Sequence, residues 1–423
     1  MPTVTVAGAH GQIVSLNFDS ASNAVLAQKL AFAITTGVQN GTIIPAVDTD
    51  GGPPPVPGGK VGEWVQTQDG TTILPSGYKA VVDTAPDAVI FGSGATGESV
   101  LASSGDLTFF ASAGSGTVAA GGGGDRIVLM SSDKGGWSIN TGNGNDVVLA
   151  QNTGNDTINA GGGDNSITLG SGSDLVLSTG DDTVTAGDGQ ETISATGKTS
   201  DLIYGGSSSL FFVTNQGSAT VFGGTGSDTF FGGKGTDLVY GGTGGNNLLF
   251  AGTGSATLFG GGDGDQLFGG GTQAQALHAG AGNETLFGGS GGDTFFGSAG
   301  STQMFGFSGS NTYVFTNGQA GGTDTITGFT SGRDQIDLQG YSKNEVTKAL
   351  KSQTMTSGGD TITLSDHTTI TFAGVNSLSA SDFVTSSGSA GGVPSVAGSS
   401  HHGHGAFDGD DHGHIRNTWI GHS

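Results

Sequence analysis

The chain has 423 residues, of which 85 are glycine and none is cysteine, and its formal net charge is −24. Only 33% of the residues are hydrophobic, which argues against one thick globular core and favours a thin core repeated along a solenoid. The acidic surface disfavours nucleic acid and anionic membranes as partners, and the absence of cysteine excludes disulfides.

Residues 1–50 differ in composition from the rest and predict a small α/β unit. Two strand-like runs precede Ser20, Ser22 and Asn23, any of which can cap a helix that continues through Ile34.

Residues 51–90 predict a linker with four prolines, followed by strand-like runs at 71–74 and 79–82. The N-terminal part has no basic segment ahead of an apolar run, so we expect no Sec-type signal peptide. No stretch of the chain reaches 18 apolar residues, so we also expect no transmembrane helix.

Residues 91–319 are periodic, with clear nine-residue Gly-Gly-x-Gly-x-Asp rows at 223–231, 232–240 and 288–296. Glycine at positions one, two and four permits a tight turn, and position six supplies a carboxylate. Position eight is apolar and should point inward, so that position nine points outward. The residues therefore predict one thin strand and one turn per row.

Two rows make one turn of a flattened helix, so position-six side chains of alternate rows should stack roughly 4.8 Å apart. Their sequence separation is 18 from Asp156 to Asp174 and from Asp228 to Asn246. Stacked carboxylates repel, and calcium, which takes six to eight oxygen ligands, removes that repulsion. The candidate calcium ligands are Asp125, Asp146, Asp156, Asn165, Asp174, Asp182, Glu191, Asp201, Asp228, Asp237, Asn246, Asp265, Glu284 and Asp293.

The two files of position-six residues are interrupted in the second half of the repeats. The interrupting residues are Leu210, Ala219, Ala256, Ala274 and Thr302. We therefore predict a calcium-rich part up to about residue 201 and fewer, patchier sites beyond it.

The rows resemble the nonapeptide of the RTX (hemolysin-type) family, a calcium-binding β-helix repeat. Residues 324–338 are similar to the segment that caps the β-roll of serralysin-like proteins, and residues 377–384 to the end of that region. The resemblance implies type I secretion through an uncleaved C-terminal signal. It also implies a chain that stays unfolded at low cytosolic calcium and folds outside the cell.

Residues 320–385 predict a strand-rich cap that includes the secretion-signal region, with a short helix over 343–351 and a hairpin of 361–364 and 368–372. Residues 386–423 predict a disordered His-rich tail. Its clustered histidines could bind Zn²⁺ or Ni²⁺, but a solvated, flexible tail is the simpler interpretation.

The sequence lacks the motifs of common catalytic sites. It contains no His-Glu-x-x-His, no Gly-Lys-Ser/Thr phosphate loop, and no Gly-x-Ser-x-Gly run in a strand–turn–helix context. We therefore expect no enzymatic activity.

Aromatic residues recur at position nine of the later rows, where they should face outward. They could pack ring over ring within one molecule, or form an interface for self-association. They are Phe222, Phe231, Tyr240, Phe250, Phe259, Phe268, Phe287, Phe296 and Phe305.

Together these features predict an all-β fold: a right-handed parallel β-roll or β-solenoid of RTX type, with about ten to thirteen turns and a small α/β N-terminal unit. The expected function is that of a secreted calcium-binding structural protein that self-associates in a surface layer, biofilm matrix or filament. Cell-surface or matrix polysaccharide and the type I secretion apparatus are further candidate partners. Alternatives are a calcium-dependent adhesin for glycan or host surface, a secreted hydrolase with an unrecognised N-terminal part, and an ice-binding solenoid, which the interrupted threonine files disfavour.

Overall fold

The computed structural model describes residues 1–319 and 321–386, and nearly all of its regular structure is β-strand. Within those residues, neither of the two helices is both long and apolar enough to span a membrane. From residue 387 onward, the predicted His-rich tail lies outside the described residues.

The N-terminal residues form the predicted α/β unit. It consists of an antiparallel hairpin, a 19-residue helix and short 3-10 turns, with bounds β1 (Thr3–Ala7), 3-10 turn (Ala9–Gly11), β2 (Ile13–Asn17), α1 (Ala21–Gln39), β3 (Ile43–Val47) and 3-10 turn (Asp48–Asp50). Ser20 caps α1, because its Oγ accepts a hydrogen bond from the Asn23 N–H at 3.2 Å.

Thirty further strands follow in chain order. They are β4 (Val61–Gln66), β5 (Gly70–Ile73), β6 (Tyr78–Asp83), β7 (Asp87–Phe91), β8 (Thr96–Ala102), β9 (Asp106–Ala111), β10 (Ser115–Ala119), β11 (Arg126–Leu129), β12 (Trp137–Asn140), β13 (Val147–Ala150), β14 (Thr157–Gly161), β15 (Ser166–Leu169), β16 (Leu175–Ser178), β17 (Thr183–Thr185), β18 (Glu191–Ala195), β19 (Ser200–Tyr204), β20 (Leu210–Thr214), β21 (Ser218–Phe222), β22 (Thr229–Phe231), β23 (Asp237–Tyr240), β24 (Leu248–Phe250), β25 (Ala256–Phe259), β26 (Gln266–Phe268), β27 (Ala276–His278), β28 (Thr285–Phe287), β29 (Thr294–Phe296), β30 (Gln303–Phe305), β31 (Thr312–Thr316), β32 (Thr323–Thr327) and β33 (Gln335–Gln339).

These strands alternate between two parallel sheets. Sheet 1 takes β3 and then the even-numbered strands, and sheet 2 takes the odd-numbered strands from β5. Each strand pairs with the strands one turn before and after it, as in the register of Phe230 with Leu249 between β22 and β24. Sheet 2 has 16 strands, so the solenoid has about 16 turns.

The prediction of ten to thirteen turns was therefore too low. The stacked sheets begin at β3 and include β4 to β7, ahead of the glycine-rich rows. α1 covers the outside of sheet 1 at these first turns, so both faces of the sheet are apolar there and the alternation of a one-sided strand is lost. The packed residues are Ala27, Ala31 and Ile34 of α1 with Val65, Val82, Leu101 and Ala119 of sheet 1.

The C-terminal residues close the solenoid with a helix and a hairpin. Their bounds are α2 (Glu345–Lys351), β34 (Thr354–Thr356), β35 (Gly359–Thr363), β36 (Thr369–Ala373), a 3-10 turn (Ala380–Asp382) and β37 (Phe383–Val384). The predicted short helix and hairpin are confirmed, and β36 continues sheet 1 beyond β32.

The core is a thin column between the sheets, filled in the nonapeptide rows by position-eight side chains. Leu258, Leu267 and Leu286 are fully buried, whereas the residues on either side of each one are exposed or half-buried. Each such leucine contributes roughly 1.5–3 kcal/mol through burial. The inward direction of position eight, predicted from the row, is confirmed.

Candidate calcium sites

Position-six side chains form two buried files along the solenoid, one at the start of the strands of each sheet. All of them are 4% exposed or less. File 1 contains Asp156, Asp174, Glu191, Leu210, Asp228, Asn247, Asp265, Glu284, Thr302 and Asp324, and file 2 contains Asp125, Asp146, Asn165, Asp182, Asp201, Ala219, Asp237, Ala256, Gln275, Asp293, Asn311 and Asp334.

In most file side chains that carry an oxygen, one oxygen accepts a backbone N–H of the turn before it. The Asp156 N–H donates to Asp174 Oδ1 at 2.7 Å, and the Asp174 N–H donates to Glu191 Oε2 at 3.1 Å. File 2 repeats the pattern, with the Asp125 N–H donating to Asp146 Oδ1 at 2.8 Å. Position six is thus a structural ladder, whether or not a cation is bound.

The second oxygen of most file carboxylates is buried without any hydrogen-bond partner. A buried charged oxygen without a donor is costly, so its partner must be something other than this protein's N–H and O–H groups. The oxygens are Oδ2 of Asp125, Asp146, Asp156, Asp174, Asp182, Asp201, Asp228, Asp237, Asp265 and Asp324, Oε1 of Glu191 and Oε2 of Glu284.

Glycine keeps the space beside these oxygens open. A Cβ on Gly223, at position one, would lie 2.3 Å from Asp228 Oδ2, and one on Gly189, at position four, would lie 2.9 Å from Glu191 Oε1. The same Cβ on Gly189 would lie 1.4 Å from the carbonyl oxygen of Gly172, one turn earlier. Bare backbone carbonyls and unpartnered carboxylate oxygens therefore lie together in these turns.

Burial raises the pKa values of the file carboxylates. Loss of solvent raises the pKa of Asp125 to about 9 and the pKa values of Asp156 and Glu191 to about 7. Backbone N–H donors lower these values and neighbouring carboxylates raise them again. A divalent cation at the unpartnered oxygen would stabilise the charged form in place of a proton.

The donor set fits calcium. It consists of carboxylate and carbonyl oxygens, which are the ligands of Ca²⁺, and lacks the nitrogen and sulfur ligands of zinc. In the described parts of the chain, no group of three His, Cys, Asp or Glu side chains converges on one point. An ion in these files would therefore take one or two stacked carboxylates and complete its shell with turn carbonyls.

Eleven of the fourteen predicted ligands carry an unpartnered oxygen, and three do not. Asn165 is satisfied within the protein, because it accepts from the Asp146 N–H and donates to Asp182 Oδ1. Asp293 uses its second oxygen to accept from the Gly289 N–H at 2.6 Å.

The predicted position of Asn246 in the file is wrong by one residue. Asn246 is exposed with φ of 62°, and Asn247 occupies position six, accepting from the Asp228 N–H at 2.7 Å. The row has an extra residue, which an 18-residue spacing does not anticipate. The same error applies to Ala274. Position six of that row is Gln275, which accepts a hydrogen bond from the Ala256 N–H.

Sequence reasoning missed acids outside the glycine rows. Glu98 occupies position six of β8: its Oε1 accepts from the Ser93 N–H at 3.0 Å, its Oε2 has no partner, and burial raises its pKa to about 7. Asp324 ends file 1 and also has an unpartnered oxygen. An apolar residue two positions later, Val100 and Ile326 respectively, was the available signal.

Four of the five predicted interruptions, Leu210, Ala219, Ala256 and Thr302, lie in the files, whereas Ala274 does not. At Leu210 no side-chain acceptor exists, so the Glu191 N–H donates to the Ser209 carbonyl instead, at 3.2 Å. Asp237 lies between two alanines, whereas Asp182 and Asp201 are consecutive in their file. The uneven distribution of bound calcium stays a prediction.

Rings at position nine form two stacks on the outside of the solenoid. In each stack the rings are nearly parallel, with centroids 3.8–5.4 Å apart on sheet 2 and 4.4–5.0 Å apart on sheet 1. Both the outward direction and the ring-over-ring packing are thus present. The sheet 2 stack is Tyr204, Phe222, Tyr240, Phe259, His278 and Phe296, and the sheet 1 stack is Phe231, Phe250, Phe268, Phe287 and Phe305.

Comparison with protein-family models gives one match. A model of the RTX calcium-binding nonapeptide repeat matches residues 141–176, 175–197, 213–248, 241–272 and 277–313. A comparison with curated proteins finds no match. The matched segments contain the sheet 1 stack, the sheet 2 stack apart from Tyr204, and most of both files.

Proposed function

Because residues 141–313 carry RTX calcium-binding nonapeptide repeats, we propose that the protein is a secreted structural protein that folds on calcium and then self-associates. The buried carboxylate oxygens without donors carry this proposal. At low calcium they oppose folding, and at the millimolar calcium outside cells they become ligands. An uncleaved type I secretion signal in the C-terminal region would deliver such a chain unfolded.

The aromatic faces support self-association. The strands that carry the two ring stacks present serine, threonine, glutamine, alanine, leucine, histidine and aromatic side chains outward, and no Asp, Glu, Lys or Arg. Two copies that each carry a formal charge of −24 repel at their acidic surfaces. These uncharged faces are therefore where a second copy can approach most closely.

The stacking also favours a second copy over a glycan on this surface. Each ring inside a stack has both faces covered by its neighbours, so solvent meets ring edges. A sugar that stacks on an aromatic residue needs an open ring face. A flat row of edges instead suits another flat sheet. Because the two stacks lie on different sheets, each copy could contact two others and extend a filament or layer.

Electron microscopy and light scattering of the full chain, in calcium and in EGTA, test the proposal. We expect ordered polymers in calcium alone. Serine substitutions at Phe231, Phe250, Phe268 and Phe287 should abolish them while calcium uptake and circular dichroism stay unchanged. A matched variant with serine at Phe222, Tyr240, Phe259 and Phe296 shows whether the sheet 2 face also contributes. Persistent polymers in both variants would contradict assembly through these faces.

A further inference from the structure

The loop between β2 and α1 meets the first glycine-rich turns of the solenoid. The Asp19 N–H donates to the Gly121 carbonyl at 3.0 Å, and Asp19 Oδ2 accepts from the Asn143 N–H. On the same side, Asn23 Nδ2 donates to the Ala120 carbonyl at 3.3 Å. The N-terminal unit is thus hydrogen-bonded to the turns that precede the first two acids of file 2.

The glycines of these turns are what admit the loop. A Cβ on Gly122 would lie 3.0 Å from Asp19 Oδ2 and 3.2 Å from the Asn143 carbonyl oxygen. A Cβ on Gly142 would lie 3.1 Å from Asn23 Nδ2. Two consecutive turns therefore have room for the side chains of Asp19 and Asn23 only because Gly122 and Gly142 carry no side chain of their own.

Two carboxylate oxygens at this junction lack hydrogen-bond donors. One is Asp19 Oδ1: this atom is buried, although the residue as a whole is only half-buried. The other is Oδ2 of Asp146, a residue that is 1% exposed. The turns add bare backbone carbonyls, so carboxylate and carbonyl oxygens occur together at this junction.

We propose that Asp19 supplies a carboxylate oxygen to a calcium ion bound at turns 121–125 and 141–146, so that calcium fastens the N-terminal unit to the solenoid. Asp19 lies more than 100 residues before the first matched repeat at residue 141, so no repeat pattern assigns it this role. The inference rests on the calcium-binding part of the proposed function and is independent of self-association. The rival is that Asp19 only accepts the Asn143 N–H, next to the favourable positive end of α1.

Asp19→Asn in the full chain separates the two, because asparagine keeps an oxygen that accepts the Asn143 N–H but loses the charge. Asp50→Asn is the matched control: it removes the same charge from the same unit at a half-exposed side chain. Calcium binding is measured by competition with a fluorescent chelator. Amide hydrogen exchange of β1, β2 and α1 is followed in calcium and in EGTA.

We expect the wild type and Asp50→Asn to gain protection of the N-terminal unit in calcium. Asp19→Asn should bind one ion fewer, or one ion about tenfold more weakly. In calcium, its N-terminal unit should exchange faster than that of the wild type and of Asp50→Asn. Unchanged calcium binding in Asp19→Asn would overturn the inference, whatever happens to exchange. Failure of the wild type to bind calcium at all would instead remove the proposed function.

Discussion

Substitution of Asp156 by asparagine should change the stability of the protein in opposite directions with and without calcium. Asparagine preserves the ladder, since Asn247 already accepts the backbone N–H of Asp228 at 2.7 Å in the same file. The substitution removes the negative charge that the two carboxylate oxygens share, and one of these oxygens, Oδ2, has no hydrogen-bond donor. The variant therefore isolates the charge at one site from the hydrogen bond at that site.

The structure sets the size of the first effect, and the calcium concentration sets the size of the second. Burial raises the pKa of Asp156 from 3.8 to about 7, and that difference corresponds to about 4 kcal/mol. Residual solvent screening reduces the expected gain in EGTA at pH 8 to about 2–4 kcal/mol. In calcium at about 1,000 times the dissociation constant, loss of one ion costs about 4.1 kcal/mol, which outweighs that gain and leaves a net loss of up to about 2 kcal/mol. The variant should thus be more stable than the wild type in EGTA and less stable in calcium.

Circular dichroism at pH 8 measures both differences: urea unfolds the protein in calcium, and an osmolyte such as trimethylamine N-oxide refolds the expanded chain in EGTA. Asp188→Asn is the matched control, because Asp188 is exposed in its turn and bonds only to neighbouring groups. The control should change stability by less than about 0.5 kcal/mol in either buffer. A change of the same sign in both buffers for Asp156→Asn would refute the assignment of its free oxygen to calcium.

Three further substitutions test other parts of the structure. Glu63→Gln should stabilise the protein by up to about 5 kcal/mol above pH 8 and not at all below pH 4.5. Burial raises the folded-state pKa of Glu63 from 4.5 to about 8, so ionisation of Glu63 costs stability between these pH values. Urea unfolding at several pH values measures this difference in stability. Gly189→Ala should cost more than about 3 kcal/mol in the same assay, since its Cβ would overlap a backbone carbonyl, whereas Gly52→Ala, with nothing within 4 Å, should cost little. In isothermal titration, Asp146→Asn should remove more bound calcium than Asp237→Asn, whose file neighbours are alanines.

The row pattern predicts the repeat part of the fold because it acts locally. Each row carries its own turn glycines, its inward position eight and its position-six acid, so the placement of Leu210 and Ala219 opposite file carboxylates follows from counting. Counting fails where a row gains a residue, as at Asn246, because turn length is set by backbone conformation and not by the strand pattern.

Other features depend on contacts between segments far apart in the chain. The solenoid starts early because α1 covers sheet 1, and no pattern within residues 43–91 indicates that a helix packs there. Asp19 meets Asn143 across 124 residues, and neither residue is unusual in its own segment. The unpartnered oxygen of each file acid is likewise visible only when the neighbouring turn is in place.

Small-angle X-ray scattering of the full chain, titrated from EGTA into millimolar calcium at neutral pH, tests whether divalent ions hold the stacked turns together. An expanded chain in EGTA that contracts to a rigid rod as calcium is added is the expected result. A rod of the same dimensions in EGTA would show that the buried acids fold without ions, and would contradict the account.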